Sequence, residues 1–311
     1  MRVSNGTTVS NLHAFEWDPA DLIRPRPGSH SESVAESPSQ TLNQTVGFAL
    51  IVLNQPLHKD LTLVRRLWDN ASIRVAADGG ANCLFQAAGS HGNPLFDNLD
   101  LIIGDLDSIS TEARAYYEFP PPSSARRIQT QIVRDPDQES TDFGKAVAFV
   151  RQHYRQPSEV NGNKSPRHRD IIAVGGLGGR VDQGVSQLHH LYLFQTDPGY
   201  AEGRMYLFSG ESLTFLLKTG KHRIRVRNPP GPHGRREEDV FGKHVGILPL
   251  VGLCRITTRG LVYDVTDWET VIGGKLSTSN HVLPETEVIE VETTGDVLFT
   301  IALRQVGGQT C

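Results

Sequence analysis

Two aspartates stand one residue apart in "GDLDS", residues 104–108, directly after the mostly apolar run of residues 99–103. Carboxylates this close repel each other and resist desolvation unless a cation or a dense set of hydrogen bonds compensates their charge. Asp and Ser also favour turns through local hydrogen bonds, so a polar turn at a strand end is the simpler interpretation. The other polar clusters of the chain decide between these two interpretations.

Three further clusters combine polar residues with glycine. "ADGGAN" (residues 77–82) and "GGLGGRVDQ" (175–183) each follow a short apolar run, and "DQESTDFGKA" (137–146) begins a helical pattern with Thr141 as the expected N-cap. Ligands of open α/β folds bind at the carboxyl ends of parallel strands. We therefore expect these clusters to meet at one edge of a sheet.

The residue types in these clusters suit a magnesium-bound nucleotide. Gly178 and Gly179 allow close backbone approach and precede a helix whose N-terminal N–H groups favour phosphate. Arg180 adds a forked, permanently charged donor for phosphate oxygens. Mg²⁺ prefers carboxylate oxygens combined with substrate phosphates. The candidate magnesium ligands are Asp105, Asp107 and Asp142.

The familiar nucleotide-binding sequences are absent from this chain. No Gly-x4-Gly-Lys-Ser/Thr sequence occurs, and Val181 stands where a Gly-x-Gly-x-x-Gly pattern would need its third glycine. The site is therefore neither a P-loop nor a dinucleotide fingerprint.

Hydrophobic periodicity predicts an α/β fold with a doubly wound parallel sheet, because short buried strands alternate with helices up to residue 210. The predicted strands are 46–54, 73–78, 99–105, 170–176 and 204–210, and the predicted helices are 61–68, 83–88, 141–153 and 181–194. Beyond residue 210 the segments are short and rich in β-branched and aromatic residues. They predict an antiparallel β-sandwich domain.

These patterns divide the chain into a disordered N-terminal tail (1–45), an α/β nucleotide domain (46–209) and a β-sandwich domain (210–311). The tail is rich in Ser, Pro, Asn and Glu and lacks apolar periodicity. Residues 156–169 and 228–239 are polar and rich in Pro and Gly, and we interpret them as surface insertions.

The composition predicts a soluble, cytoplasmic protein. Of 311 residues, 38% are hydrophobic and 21% charged, and the net charge of −4 argues against affinity for nucleic acid or an anionic membrane. No apolar run is long enough for a membrane helix. Cys83, Cys254 and Cys311 fit neither a disulfide framework nor zinc-ligand spacing, which favours a reducing compartment.

The four clusters, together with "STSNH" at residues 277–281, stand in the order and spacing of the thiamin pyrophosphokinase family. The resemblance extends from about residue 46 to residue 303. It implies a nucleotide domain followed by a β-sandwich, and a homodimer with active sites between subunits. It also implies transfer of a pyrophosphoryl group from ATP to thiamine with Mg²⁺ as cofactor, giving thiamine diphosphate and AMP.

The resemblance assigns roles to individual residues. Asp105 and Asp107 would hold Mg²⁺, and Asp142 would join them or orient the attacking hydroxyl; Arg180 and Asp182 would position the polyphosphate. Tyr263 stands where the family commonly has tryptophan, and would stack on thiamine with weaker cation–π attraction. The other expected ligand-binding residues are Asp78, Asn82, Gln138, Lys145, Gly178, Gly179, Gln183, Ser279 and Asn280.

Simpler roles remain open for several of these residues. Asp142 could serve only the helix dipole, Lys145 could be a solvated helix residue, and Tyr263 could belong to the sandwich core. Gly178 and Gly179 could serve helix–sheet packing alone. Two other functions also remain open: a glycosyltransferase that binds metal through Asp-x-Asp, and a nucleotide sensor without turnover.

Overall fold

The computed structural model describes residues 14–24, 47–57, 61–88, 96–119, 129–160, 163–228 and 239–304. They form two compact units. The α/β unit falls within Ala20–Leu216, Val240–Gly242 and Thr300–Cys311, and the β unit falls within Met1–Pro19, Leu217–Asp239 and Lys243–Phe299. The chain thus passes from the α/β unit to the β unit between residues 216 and 217, whereas the sequence predicts this boundary between residues 209 and 210.

The N-terminal segment is ordered where it is described, so the predicted disordered tail is wrong for residues 14–24. Strand β1 (Phe15–Trp17) pairs in parallel with residues 222–224. Trp17 is buried, and its indole N–H donates to Nδ1 of His222 (3.1 Å). A 3₁₀ helix (Pro19–Leu22) follows. Strand β1 was not predicted because a three-residue strand that adds to an existing sheet needs no hydrophobic periodicity of its own. The rest of the predicted tail, and the start of the strand predicted at 46, lie outside the described residues.

A central sheet organises the α/β unit. Its strands are hydrogen-bonded in the order β10-β9-β8-β2-β3-β4-β5, all parallel except the antiparallel pair β9 and β10. These strands and the hairpin β6–β7 have the bounds β2 (Ala49–Val52), β3 (Ile73–Ala77), β4 (Leu101–Gly104), β5 (Gln131–Arg134), β6 (Gln156–Val160), β7 (Asn163–Arg167), β8 (Ile171–Val174), β9 (Met205–Phe208) and β10 (Ser212–Leu217).

Among the described residues, five helices accompany this sheet: α1 (Leu61–Asn70), α2 (Gly80–Ala88), α3 (Thr111–Glu118), α4 (Asp142–His153) and α5 (Val181–Leu193). Every residue of β2, β4, β8 and β9 is buried, as expected of parallel strands covered on both faces. No helix among the described residues is long and apolar enough to cross a membrane.

Four elements of the α/β unit were not predicted: α3, β5, β6 and β7. Helix α3 begins after Ser110, whose hydroxyl accepts the Ala113 N–H, and β5 is a half-exposed edge strand with a weak apolar signal. Within the predicted insertion 156–169, β6 and β7 form an antiparallel hairpin. The predicted insertion 228–239 lies outside the described residues except at its two ends.

The β unit contains a five-stranded sheet in the order β1-β11-β16-β13-β14, in which only β1 is parallel to its neighbour. Strand β12 pairs antiparallel with β15, and "STSNH" forms β15. The bounds are β11 (Gly220–Arg225), β12 (Phe241–Leu248), β13 (Cys254–Arg259), β14 (Trp268–Thr270), β15 (Ser277–His281), β16 (Val288–Thr293) and β17 (Val297–Leu303).

The end of β17 belongs to the α/β unit. Thr214 donates from its hydroxyl to the Thr300 hydroxyl (3.0 Å), and the Leu303 N–H donates to the Glu211 carbonyl (2.8 Å). Because the chain returns to the α/β unit here, a single boundary at residue 210 does not separate the two units.

Candidate active site

A cleft of about 560 Å³ opens at the carboxyl edge of the parallel sheet. Strands β2 and β8 are neighbours, and the chain leaves β2 toward β3 on one side and β8 toward β9 on the other, so this is the crevice where doubly wound sheets bind ligands. The cleft is lined by residues 53–55, Ala77, Asp105, Ser108, Asp137, Gln138, residues 140–143, Gly175, Gly176, Arg180, Gln183, Ser186 and Gln187.

Asp78 and Asn82 hold the loop that carries the paired aspartates. Asp78, buried and in the left-handed region (φ 38°), accepts the N–H groups of Ser108 (3.0 Å) and Ile109 (3.2 Å). Asn82 accepts the Ser110 N–H and donates to the Ser108 carbonyl, both at 2.8 Å. Burial raises the pKa of Asp78. Both residues therefore shape the loop rather than the cleft surface.

Asp105 and Asp107 lie close together on this loop. Asp105 accepts the Asp107 N–H (3.2 Å) and the Gln138 amide (3.3 Å), and the first of these bonds is the main reason that the pKa of Asp105 is lowered. The sequence left open whether a cation or hydrogen bonds compensate the charge of the paired aspartates. The structure shows that hydrogen bonds within the chain compensate part of it. Carboxylate oxygens of Asp78, Asp105 and Asp107 lie within 4.8 Å of one another.

Gly104 makes this crowding of carboxylates possible. A Cβ at this position would stand 2.7 Å from Cβ of Asp78 and 2.8 Å from Oδ1 of Asp142. Any side chain here would push the two carboxylates away from the end of β4. The glycine of "GDLDS" is therefore required by close packing at the site.

Asp142 and Lys145 form the wall contributed by α4. Oδ1 of Asp142 accepts the Asp105 N–H (3.3 Å) and lies 3.4 Å from Nζ of Lys145. Lys145 is only 4% exposed, so the interpretation of it as a solvated helix residue is wrong. Asp142 joins the site through Lys145 and the Asp105 backbone, whereas Asp78 is the third carboxylate near Asp105 and Asp107. Magnesium ligation by Asp142 stays a prediction.

Thr141 fixes the start of α4 as predicted. Its hydroxyl oxygen accepts the Gly144 N–H (3.0 Å) and lies 2.8 Å from Nε2 of His190 on α5. His190 is buried against Phe143, with Nδ1 near the Ser186 carbonyl, and burial lowers its pKa. A neutral imidazole that donates to Ser186 and accepts from Thr141 satisfies every group in this chain of bonds. The helix bearing Asp142 is thereby tied to α5.

The glycine turn before α5 has the predicted open backbone. Gly178 (φ 135°) has nothing within 4 Å of a Cβ position, so helix–sheet packing does not explain it. Gly179 (φ 65°) approaches the Gln55 side chain. Arg180 and Asp182 are exposed and bonded to each other, which raises the pKa of Arg180 and lowers that of Asp182. Arg180 and Gln183 line the cleft, whereas Asp182 does not.

The predicted residues of the β unit lie together around the loop that carries Tyr263. Tyr263 is 68% exposed, so the core interpretation is wrong. Buried Asn280 accepts the Tyr263 N–H (3.1 Å) and donates to its carbonyl (3.0 Å), which fixes the loop that presents the ring. Asp264 accepts the N–H groups of Gly260 and Leu261. Ser279 is exposed with φ 55°. Asn280 therefore positions Tyr263 through its backbone.

Sequence reasoning missed several residues that line the cleft. Gln55 follows β2 and Gln187 lies on α5, one helical turn after Gln183. Oε1 of buried Gln187 has no hydrogen-bond partner within the part of the chain that the structure describes. The i, i+4 spacing of Gln183 and Gln187 was the available signal, because it places two amides on one helix face.

Comparison with known proteins relates both units to one family. The sequence model described as "Thiamin pyrophosphokinase, catalytic domain" matches residues 64–199, and the one described as "Thiamin pyrophosphokinase, vitamin B1 binding domain" matches residues 221–298. The matched stretches include all four predicted clusters of the α/β unit and the Tyr263 surface of the β unit.

Similar proteins carry the same name. "Thiamine pyrophosphokinase 3" of Oryza sativa subsp. japonica is 34% identical over 272 residues, covering 83% of this chain and 87% of that protein. "Thiamine pyrophosphokinase 1" of Arabidopsis thaliana is 32% identical over 84% of this chain and 88% of its own.

Solved structures share the fold. The thiamin pyrophosphokinase from Candida albicans superposes with a TM-score of 0.69 at 24% identity, covering 94% of this chain and 93% of its own. The yeast thiamin pyrophosphokinase gives 0.70 at 23% identity, covering 97% and 95% of the two chains. The mixed α/β fold with a β-rich second unit is therefore a known architecture.

Proposed function

The chain belongs to the thiamin pyrophosphokinase family, and we propose that it transfers the pyrophosphoryl group of ATP to the hydroxyl of thiamine. The products are thiamine diphosphate and AMP. The observation that carries the proposal is the cleft itself, which is lined by the carboxylates of Asp105 and Asp142 and by Gly175, Gly176 and Arg180.

The proposed reaction is an attack of the thiamine hydroxyl oxygen on the β-phosphorus of ATP. A new O–P bond forms, the bond from the β-phosphorus to the oxygen of the α-phosphate breaks, and AMP leaves with that oxygen. The hydroxyl proton passes to the Asp142 carboxylate, which lines the cleft. Lys145, buried beside Asp142, keeps that carboxylate in place through its contact with Oδ1.

Arg180 and the glycine turn are the proposed contacts of the polyphosphate. The N-terminus of α5 offers unpaired N–H groups and a favourable dipole, and Gly178 leaves the approach to them open. Arg180 is paired with Asp182 and would exchange that exposed bond for phosphate oxygens. Gln138 and Gln183 add amide donors to the same cleft.

Mg²⁺ is the proposed cofactor, and the donor set suits it. Carboxylate oxygens are the ligands that Mg²⁺ prefers, and it binds through one or two of them together with substrate phosphates. Asp105 and Asp107 would hold it, because both oxygens of nearby Asp78 already accept backbone N–H groups. When bound, Mg²⁺ offsets negative charge on the transferred phosphates.

Thiamine is the proposed ligand of the Tyr263 surface. The thiazolium ring carries a permanent positive charge and the pyrimidine is aromatic, so an exposed ring on a fixed loop provides a face for stacking. Exposed Ser279, next to Asn280 on β15, offers a hydroxyl for polar contact.

We also propose that the protein is a cytoplasmic homodimer. Cys83 and Cys254 are free and buried, in keeping with a reducing compartment. The β unit exposes several large apolar side chains, which suits contact with a second copy: Val251, Leu253, Val262, Ile272 and Leu276. Light scattering of the purified protein and imaging of a fluorescent fusion in cells test the two proposals.

The test of the activity is incubation of the full chain with thiamine, ATP and Mg²⁺, followed by chromatography. We expect AMP and thiamine diphosphate in equal amounts. ADP with thiamine monophosphate would contradict the reaction, and nucleotide binding without turnover would indicate a sensor. Activity with nucleotide sugars in place of ATP would favour a glycosyltransferase.

A further inference from the structure

A second cavity adjoins the paired aspartates on the side of α3. It has a volume of about 450 Å³ and is lined by Asp105, Leu106, Asp107, Arg114, Glu118, Ile132 and Arg134. Asp105 lines both this cavity and the main cleft. The loop carrying the paired aspartates is therefore open to ligand from two sides.

Arg134 is the last residue of β5, the strand next to the aspartate loop. It is in register with Gly104 of β4, and the Asp135 N–H donates to the Gly104 carbonyl (2.8 Å). Neighbouring strands lie about 5 Å apart, so the backbone of Arg134 stands next to the residue that precedes Asp105. Ile132 and Arg134 are two residues apart, and both line the cavity from one face of β5.

The guanidinium of Arg134 is uncommitted. Although carboxylates stand in the same cavity, Arg134 makes no ion pair and no side-chain hydrogen bond with any described residue. Arg114, the other cation of the cavity, is bonded to Glu118 (3.3 Å). Arg180 of the main cleft is bonded to Asp182. Of these three arginines, Arg134 alone keeps all its side-chain donors available.

We infer that Arg134 binds the terminal phosphate of the nucleotide triphosphate, in a subsite on the far side of Asp105 and Asp107. The donor then reaches across the carboxyl edge of the sheet, with its adenosine end in the main cleft and its γ-phosphate in the second cavity. A planar guanidinium donates hydrogen bonds to two phosphate oxygens at once, and hydrogen bonds between charged groups are the stronger ones. This inference rests on the proposed function, since it assumes a triphosphate donor.

The inference predicts a selective loss of affinity. Arg134→Gln should weaken binding of α,β-methylene-ATP in the presence of Mg²⁺ by about tenfold, the effect of losing one charged hydrogen-bonding partner. AMP lacks the β- and γ-phosphates, so its dissociation constant should change less than about twofold. Arg134→Lys keeps a point charge without the fork and should lie between the parent and Arg134→Gln. Isothermal titration calorimetry of the full-length variants measures all of these.

Arg114→Gln is the matched control, because it removes one positive charge from the same cavity. If Arg134 contacts phosphate directly, Arg114→Gln should change affinity for the analogue less than about threefold. Equal losses in the two variants would show a general field effect and overturn the inference. Equal losses for the analogue and for AMP, or no loss in Arg134→Gln with a parent-like thermal unfolding curve, would also overturn it.

Binding and turnover separate this inference from the proposed function. If the parent protein forms no thiamine diphosphate, the proposed function fails, whereas the titrations still decide whether Arg134 recognises a triphosphate. If the parent is active and Arg134→Gln binds the analogue as tightly as the parent, the reaction stands and the subsite is wrong.

Discussion

The two units fix their candidate binding residues in opposite ways. In the α/β unit, backbone N–H groups bond directly to the functional carboxylates, as at Asp78, Asp105 and Asp142. In the β unit, buried Asn280 bonds to the backbone of Tyr263 and leaves the ring itself in solvent. Hydrogen bonds thus fix the individual oxygen atoms of the charged groups. A stacking ring, by contrast, needs only a loop whose backbone is fixed. Substitutions should therefore affect the two units differently.

The largest expected effect is on the carboxylates. Asp105→Asn keeps the size of the side chain but removes a negative charge that the proposed Mg²⁺ and phosphates require. We expect kcat/KM for thiamine diphosphate formation to fall at least about 100-fold, comparable to removal of one electrostatic contact in other active sites. Asp105 is only half-buried, and an asparagine oxygen can still accept the Asp107 N–H, so the thermal unfolding temperature should stay close to that of the parent.

Asp69→Asn provides the control for charge alone. Asp69 lies on α1, pairs with Arg65 and does not line the cleft, so its loss should leave kcat/KM unchanged. If Asp105→Asn kept turnover but unfolded much more easily than the parent, the paired aspartates would be structural. The contrast between the two units would then disappear.

The second effect should be confined to one substrate. Tyr263→Ala removes the exposed ring but leaves the backbone bonds to Asn280, so the loop should keep its shape. Loss of a cation–π contact should raise KM for thiamine by about tenfold and leave KM for ATP nearly unchanged. Initial rates with each substrate varied in turn measure this difference.

Tyr263→Trp sharpens the same comparison, because indole has the stronger π face. It should keep or lower KM for thiamine. Unchanged thiamine kinetics in Tyr263→Ala would show that the ring does not stack on the substrate. A rise of both KM values together would show a structural role for the loop.

The sequence predicted what depends on local pattern. Buried parallel strands such as β2 and β8 are continuous apolar runs, and Thr141 was identified as an N-cap from residue type alone. What it could not predict depends on partners far along the chain. The burial of Lys145 beside Asp142, the bond from His190 to Thr141 and the addition of β1 to the β unit each join segments whose proximity only the fold creates.

The third effect concerns the start of α4. Thr141→Val removes the hydroxyl that accepts the Gly144 N–H and contacts His190. Loss of an N-cap should lower the free energy of unfolding by about 1 kcal/mol, measured by urea denaturation. Thr141→Ser keeps the hydroxyl and should stay within a few tenths of a kcal/mol of the parent. A destabilised Thr141→Ser variant beside a parent-like Thr141→Val variant would show that the methyl group, not the hydroxyl, stabilises this helix end.

The smallest effect is a change in pH dependence. Burial lowers the pKa of His190 below its ordinary value of 6.5, and the neighbouring His189 adds to this. As the pH falls through 6.5, the unfolded chain takes up a proton that the folded state still refuses, so stability is lost toward acid. This single group can contribute at most about 1.4 kcal/mol per pH unit.

His190→Gln removes that titration while keeping an amide that can both donate and accept. The variant should be less stable than the parent at pH 7.5, because its bonds to Thr141 and Ser186 are imperfect, but it should lose less on going to pH 5.5. Urea denaturation of both proteins at pH 7.5 and pH 5.5 gives the loss of unfolding free energy for each. Subtracting the loss of the variant from that of the parent cancels the titration of every other group. Tyr263→Phe, in the β unit, should have the same stability as the parent at both pH values.

If His190→Gln loses as much stability toward acid as the parent does, His190 is protonated in the folded state without cost. The hydrogen bonds among Thr141, His190 and Ser186 would then tolerate a protonated imidazole. In the α/β unit, individual placement of side-chain atoms would be limited to the carboxylates.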